Sequence, residues 1–191
     1  MYSLCISTSS PRVSAALICD AALVGSKSED AQGNASGLVI RLLDELLSLA
    51  GIELSAVERY VVDVGPGSFT GTRVGIAMVK GFACSFDKLC AGVSAFDLIA
   101  PDQIAAIPSR KDEYCCREPG EEFVLLQVDS SVMKTAVGYG AFFEAQAFPD
   151  ASNVVGLMHQ LEFGRPEALR PVYSSMPNIS TPNIPYRTVS E

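Results

Sequence analysis

The sequence predicts an α/β protein, a mixed sheet with flanking helices divided between two lobes, and three observations carry that prediction. Strand-length apolar and β-branched runs alternate with longer segments of helical periodicity. The glycine-rich turn Gly65-Pro-Gly-Ser-Phe-Thr-Gly71 joins the β-branched run Tyr60–Val64 to one of those helical segments. A chain of 191 residues, 48% hydrophobic and 19% charged, can bury one core shared between two lobes.

In chain order, strands are expected over 2–7, 13–19 and 22–26, and a helix over 35–50. A strand over 60–64, a helix over 70–85, a strand over 89–93 and a helix over 94–100 complete a first lobe of residues 1–100. Pro101-Asp102 marks the crossing into a smaller second lobe, 101–173. That lobe is expected to hold strands over 103–107, 113–116, 123–128, 135–137 and 142–147, and a helix over 153–163. Residues 174–191, with three prolines between 177 and 185, read as an extended tail.

The two long helices are more apolar than a single sheet contact requires. On a wheel of 100° per residue, Leu38, Leu42, Leu46 and Leu49 belong to an apolar arc of roughly 200°, opposite Arg41, Asp44, Glu45 and Ser48. In the next helix Gly71, Gly75, Met78 and Phe82 share a face with Val79 alongside, and Arg73 and Lys80 form a thin polar edge. Two glycines one turn apart admit another backbone closely. These eight residues, Leu38 to Leu49 and Gly71 to Phe82, are therefore assigned to an interface with a partner subunit, and Gly75→Leu is expected to give a folded monomer. The alternative is close packing within the chain's own core.

A strand, a glycine turn and a helix also place N–H groups and a positive helix end together, a geometry that suits an anion. Neither common phosphate motif is present. Gly71 is followed by Thr72-Arg73 where a P-loop needs lysine and a hydroxyl residue, and Gly65, Gly67 and Gly71 give Gly-x-Gly-x3-Gly. The competing reading is a tight turn that lets the helix pack closely.

The segment Val64-Gly65-Pro66-Gly67-Ser68-Phe69-Thr70-Gly71-Thr72-Arg73-Val74-Gly75, preceded by Leu42-Leu-Asp-Glu-Leu-Leu47, resembles the signature of the bacterial TsaB family, formerly called YeaZ or glycoprotease. The likeness extends to Ser7-Thr-Ser-Ser-Pro-Arg-Val-Ser14, Ser109-Arg-Lys-Asp-Glu-Tyr114 and Pro171-Val-Tyr173; it is dense over about the first 95 residues and sparse beyond. The resemblance implies an actin-like (ASKHA, ribonuclease-H-like) fold of two subdomains. It also implies a non-catalytic relative of TsaD, the ATP-using enzyme that places a threonylcarbamoyl group on the tRNA adenosine beside the anticodon. Family members form homodimers, and heterodimers with TsaD through their first two helices; the ATPase TsaE joins the assembly. The ATP and magnesium would belong to the partner enzyme, leaving this chain no cofactor or metal of its own.

Three departures bear on chemistry. Where the family's first strand ends in Leu-Asp-Thr-Ser, this chain has Ile6-Ser7-Thr8-Ser9, so a hard-oxygen contact for a metal–nucleotide complex is missing unless Asp63 or Asp129 replaces it. His-Ser-Glu becomes Ala35-Ser36-Gly37, and Ile-Asp-Ala-Arg becomes Ile107-Pro108-Ser109-Arg110. The lone histidine, His159, is expected on an amphipathic helix as a surface or packing residue, and no His/Cys cluster supports a zinc protease. Ser68, Thr70 and Thr72 read as turn and cap groups rather than nucleophiles.

Charge narrows the partners. Residues 1–100 carry seven basic and ten acidic side chains and residues 101–191 carry seven and twelve, for a net charge of −8 without a basic block. Such a surface repels phosphates, so tRNA contact is expected only through a partner. The six cysteines show no Cys-x-x-Cys spacing and read as reduced thiols, Cys115 and Cys116 on opposite faces of a strand. No apolar run of eighteen residues occurs, so a cytoplasmic protein without a membrane span is expected. The leading expectation is a dimerising subunit of tRNA threonylcarbamoylation. A small actin-like ATPase is the alternative, followed by a hydrolase of the old glycoprotease type.

Overall fold

The computed structural model describes residues 1–174; the tail reading over 175–191 lies outside the described residues. Strands β1 (Tyr2–Ser7), β2 (Arg12–Cys19) and β3 (Ala22–Asp30) form a meander, followed by helix α1 (Ala35–Ala50), β4 (Val57–Asp63), helix α2 (Phe69–Ser85), β5 (Leu89–Val93) and the short helix α3 (Ala95–Ile99). Their strands make one mixed sheet in the order β3-β2-β1-β4-β5, with β1–β4 and β4–β5 parallel. A second mixed sheet contains β6 (Ala105–Arg110), β7 (Glu113–Arg117), β8 (Val124–Gln127) and β9 (Val137–Gly138), in the order β8-β7-β6-β9. Both sheets with flanking helices match the predicted fold class.

Alternation along the strands builds the layers. Leu4, Ile6, Leu17, Tyr60 and Val62 face α1 and α2, meeting Leu42, Leu43, Leu46, Ile76 and Val79. Their neighbours Cys5, Ala16, Ile18 and Val61 face the other way, onto Leu98, Ala151, Val154 and Leu157. In the second sheet Ala105, Ile107 and Cys115 pack on Phe96 and Ile99, while Ala106, Tyr114 and Cys116 pack with Met133. Cys115 and Cys116 thus occupy opposite faces, as alternation predicts. Helix α1 starts where Asn34 accepts the Gly37 N–H and ends at Gly51, whose φ of 66° suits the residue without a Cβ.

Two expected elements are corrected. Residues 153–163 do not form an α-helix; 3₁₀ turns span Ala151–Leu157, with Ala151, Val154 and Leu157 buried at a spacing of three. Residues 142–147 are not a strand. Phe142 and Phe143 turn back to stack edge-on with Tyr114, and Gln146 closes the turn through hydrogen bonds with Gly140 and the Phe143 carbonyl. The division at Pro101 is also less simple than a cut in the chain, because residues 151–172 return to the first sheet. Ala151 N–H donates to Ser14 Oγ (2.9 Å), Cys90 and Gly164 exchange two backbone hydrogen bonds of 2.9 Å, and Leu169 joins the core beneath α2.

Candidate functional site

Because β1 and β4 are parallel neighbours, their carboxyl ends reach the same edge of the first sheet, and Ser7 comes to lie beside Asp63. Ser7 Oγ donates to Asp63 Oδ2 at 2.6 Å, Ser9 Oγ donates to the same oxygen at 2.5 Å, and Gly65 N–H donates to Oδ1 at 2.8 Å. Asp63 has no exposed surface. Burial pushes its carboxyl above the usual carboxylate range, and the three donors pull it partly back. The acidic neighbour sought for Ser7 is therefore Asp63, but both of its oxygens face inward and are bonded.

The signature loop is locked onto the β1–β2 turn. Ser68 N–H donates to the Ser9 carbonyl (2.6 Å), Thr8 Oγ1 donates to the Gly71 carbonyl (2.7 Å), and Ser68 Oγ caps α2 by accepting the Gly71 N–H (3.2 Å). A Cβ at Gly67 would overlap the Ser9 carbonyl oxygen, and one at Gly71 the Thr8 carbonyl oxygen. The N–H groups of Gly65, Ser68, Gly71 and Thr72 all find acceptors in the chain itself. The glycines thus admit the neighbouring turn, and the close-packing reading outweighs the anion one. These residues do not fit a magnesium–nucleotide complex: Ser7 is uncharged and Asp63 is saturated. Among the described residues, no group of three His, Cys, Asp or Glu side chains is placed to hold a metal ion.

On the outer side of the loop, the Arg73 guanidinium lies 3.8 Å from the centroid of the Phe69 ring, and its Nε donates to Tyr173 Oη at 2.7 Å. The Phe69 and Tyr173 rings stand 5.0 Å apart, and Val172 N–H donates to the Val64 carbonyl at 2.7 Å. The sparse motif Pro171-Val-Tyr173 therefore closes the same loop from the far end of the chain. Its sequence distance from Gly65 hid that contact.

The eight assigned interface residues separate into three groups. Leu42 and Leu46 are fully buried in the chain's own core. Gly71 and Gly75 face β1 and β4: a Cβ at Gly75 would come within 2.5 Å of Thr8 Oγ1 and 3.3 Å of Val62 Cγ2. Those four are spoken for internally, which corrects their assignment. Leu38, Met78 and Phe82 are half-buried at the margin of that core. Leu49 is 72% exposed, and Leu23, Val24 and Ile40 are each more than 40% exposed. Leu49 crosses Gly25 of β3, beside an ion-pair ladder in which Arg41 meets Glu29 (2.7 Å) and Glu45 (2.9 Å), and Lys27 meets Glu45. His159 is exposed, its Nε2 3.2 Å from the Gln160 amide nitrogen.

Comparison with known proteins agrees with this geometry. The family model for TsaD, tRNA N6-adenosine threonylcarbamoyltransferase, matches residues 24–109. The tRNA threonylcarbamoyladenosine biosynthesis protein TsaB of Haemophilus influenzae is 34% identical over 94 residues, a match covering 44% of this chain and 40% of that protein. YeaZ from Pseudomonas aeruginosa superposes with a TM-score of 0.71 at 23% identity, over 90% of this chain and 99% of that one. A second P. aeruginosa structure, an uncharacterised protein with similarity to peptidase YeaZ, gives 0.74 at 22% identity, over 90% and 98%. The solved structures establish the actin-like fold, and over the signature region the chain is similar to TsaB, spanning about 40% of that curated relative.

Proposed function

We propose that this chain is a non-catalytic, dimerising subunit that supports a TsaD-like enzyme in threonylcarbamoylation of the tRNA adenosine beside the anticodon. The observation that carries the reading is the internally satisfied Asp63, the carboxylate beside Ser7 where a metal–nucleotide complex would need one. ATP and magnesium then belong to the TsaD-like enzyme and a TsaE-like ATPase, and tRNA is held by the partner because the surface here is acidic. Among the described residues no helix is long and apolar enough to cross a membrane, which accords with a cytoplasmic assembly.

The surface offered to a partner, or to a second copy, is the exposed apolar strip at Leu49, where α1 crosses Gly25 of β3. Leu49→Asp places a charge in that strip without touching the core. It is expected to keep the fold by circular dichroism and to weaken association with the co-purified TsaD-like protein about tenfold or more, roughly 1.4 kcal/mol. Modified tRNA, measured with and without the chain, should fall in parallel. Unchanged association would place the interface elsewhere.

The isolated protein is also expected to show no magnesium-dependent ATP hydrolysis above background. ATP affinity by calorimetry should be on the order of millimolar or weaker. Micromolar affinity for the chain alone would restore the small-ATPase alternative.

A further inference from the structure

We propose that the outer face of the second sheet is a docking groove for an extended, basic segment of another protein that carries an apolar side chain. The groove, about 370 Å³, is lined by Ile104, Cys116, Val124, Leu126 and Val132 and rimmed by Glu118, Glu121 and Glu122. Its floor is buried at Cys116, while Val124 is 55% exposed and the adjoining Leu125 46% exposed. A space of this size admits a large aliphatic side chain. Strand β8 is the terminal strand of its sheet among the described residues, so its outer edge offers unpaired backbone groups beside the groove. An extended segment can pair with that edge and drop alternate side chains into the groove.

Charge selects the occupant. No lysine or arginine lines the groove, and among the described residues none of its three glutamates is in an ion pair. Arg117, the cation on the adjacent strand, is turned to the other face, where it pairs with Asp97 and stacks over Phe96 at 5.2 Å. Three unneutralised carboxylates around an apolar floor favour lysine or arginine flanking an apolar anchor. A second copy of this chain is disfavoured. Antiparallel pairing of two β8 strands would bring Glu121 and Glu122 toward the Asp129 end of the other copy, like charge against like. The chain's own residues 175–191 carry only Arg187, balanced by Glu191, and supply no basic stretch.

The test uses the full chain and a short fluorescein-labelled peptide alternating lysine or arginine with valine and leucine. An otherwise identical peptide with glutamate at the basic positions is the control. Anisotropy should show binding of the basic peptide alone, weakening with added salt and falling tenfold or more in the Glu121→Lys, Glu122→Lys double variant. These side chains are exposed, so the variant should melt like the wild type. Independently of any variant, amide resonances of Val124 to Gln127 in the wild type should shift on titration with the basic peptide. Absent binding, equal binding of the acidic peptide, or binding indifferent to charge reversal overturns the proposal. So does concentration-dependent self-association abolished by Val124→Lys, which assigns the face to a second copy.

Discussion

Gly71→Ala is expected to lower the unfolding free energy by about 3 kcal/mol, and Gly75→Leu to leave little native protein at all. The sign of the first effect is what makes it informative. Alanine in place of glycine within a helix normally stabilises by roughly 1 kcal/mol. Here the added methyl overlaps the carbonyl oxygen of Thr8, a backbone atom of the buried β1–β2 turn that cannot swing away. At Gly75 a leucine would have to displace Thr8 Oγ1 and Val62, both beneath α2. The folded monomer expected from the helical wheel is thereby replaced by a failure to fold. Urea unfolding of both variants decides the matter. A stabilised Gly71→Ala protein would mean that α2 does not sit as close to β1 as described.

Asp63→Ala should be nearly as damaging. The substitution leaves Ser7 Oγ, Ser9 Oγ and the Gly65 N–H without their acceptor in a site closed to solvent, at about 1–3 kcal/mol for each buried unpaired group. Because the three donors share one carboxylate their losses are not additive, and a net loss of about 3–5 kcal/mol by urea unfolding is expected. The carboxyl also has a pH signature. Burial raises its folded-state pKa above the ordinary value of 3.8, so its contribution to stability is complete below that value and declines as pH rises through the elevated one. Asp63→Asn lacks this titration. The wild type's stability relative to Asp63→Asn should therefore diminish as pH rises from about 4. A difference that grows with pH would show that the three donors outweigh burial.

Local periodicity carried much of the fold. Residues 35–50 and 89–93 form the elements their patterns predicted, because an amphipathic stripe and a short, mostly apolar run are local signals. Where the pattern misled, packing had intervened. Phe142 and Phe143 have strand propensity, yet they are held against Tyr114 in a turn, and the Ala151–Leu157 segment is apolar at a period of three that passes for a helix over so short a run. The glycines of the signature loop were legible as a close approach, but not what approached them. A helical wheel reports that Leu42 and Gly75 are shielded without distinguishing the chain's own sheet from a partner. Asp63 was one of two acidic candidates beside Ser7, and only the parallel register of β1 and β4 singles it out.

The return of residues 151–172 to the first sheet makes the second sheet an insertion within the first lobe rather than a separate bead on the chain. Leu169 completes the core under α2, and Val172 and Tyr173 close the signature loop a hundred residues after Arg73. On the ribosome, the amino-terminal portion must wait until residues 151–173 have been made before its last contacts can form. Closing so long a loop is entropically costly and slows the final step of assembly. A nascent chain halted near Ala100 would therefore display both the floor of the first core and the unlatched glycine loop, a state in which protection must come from outside the molecule.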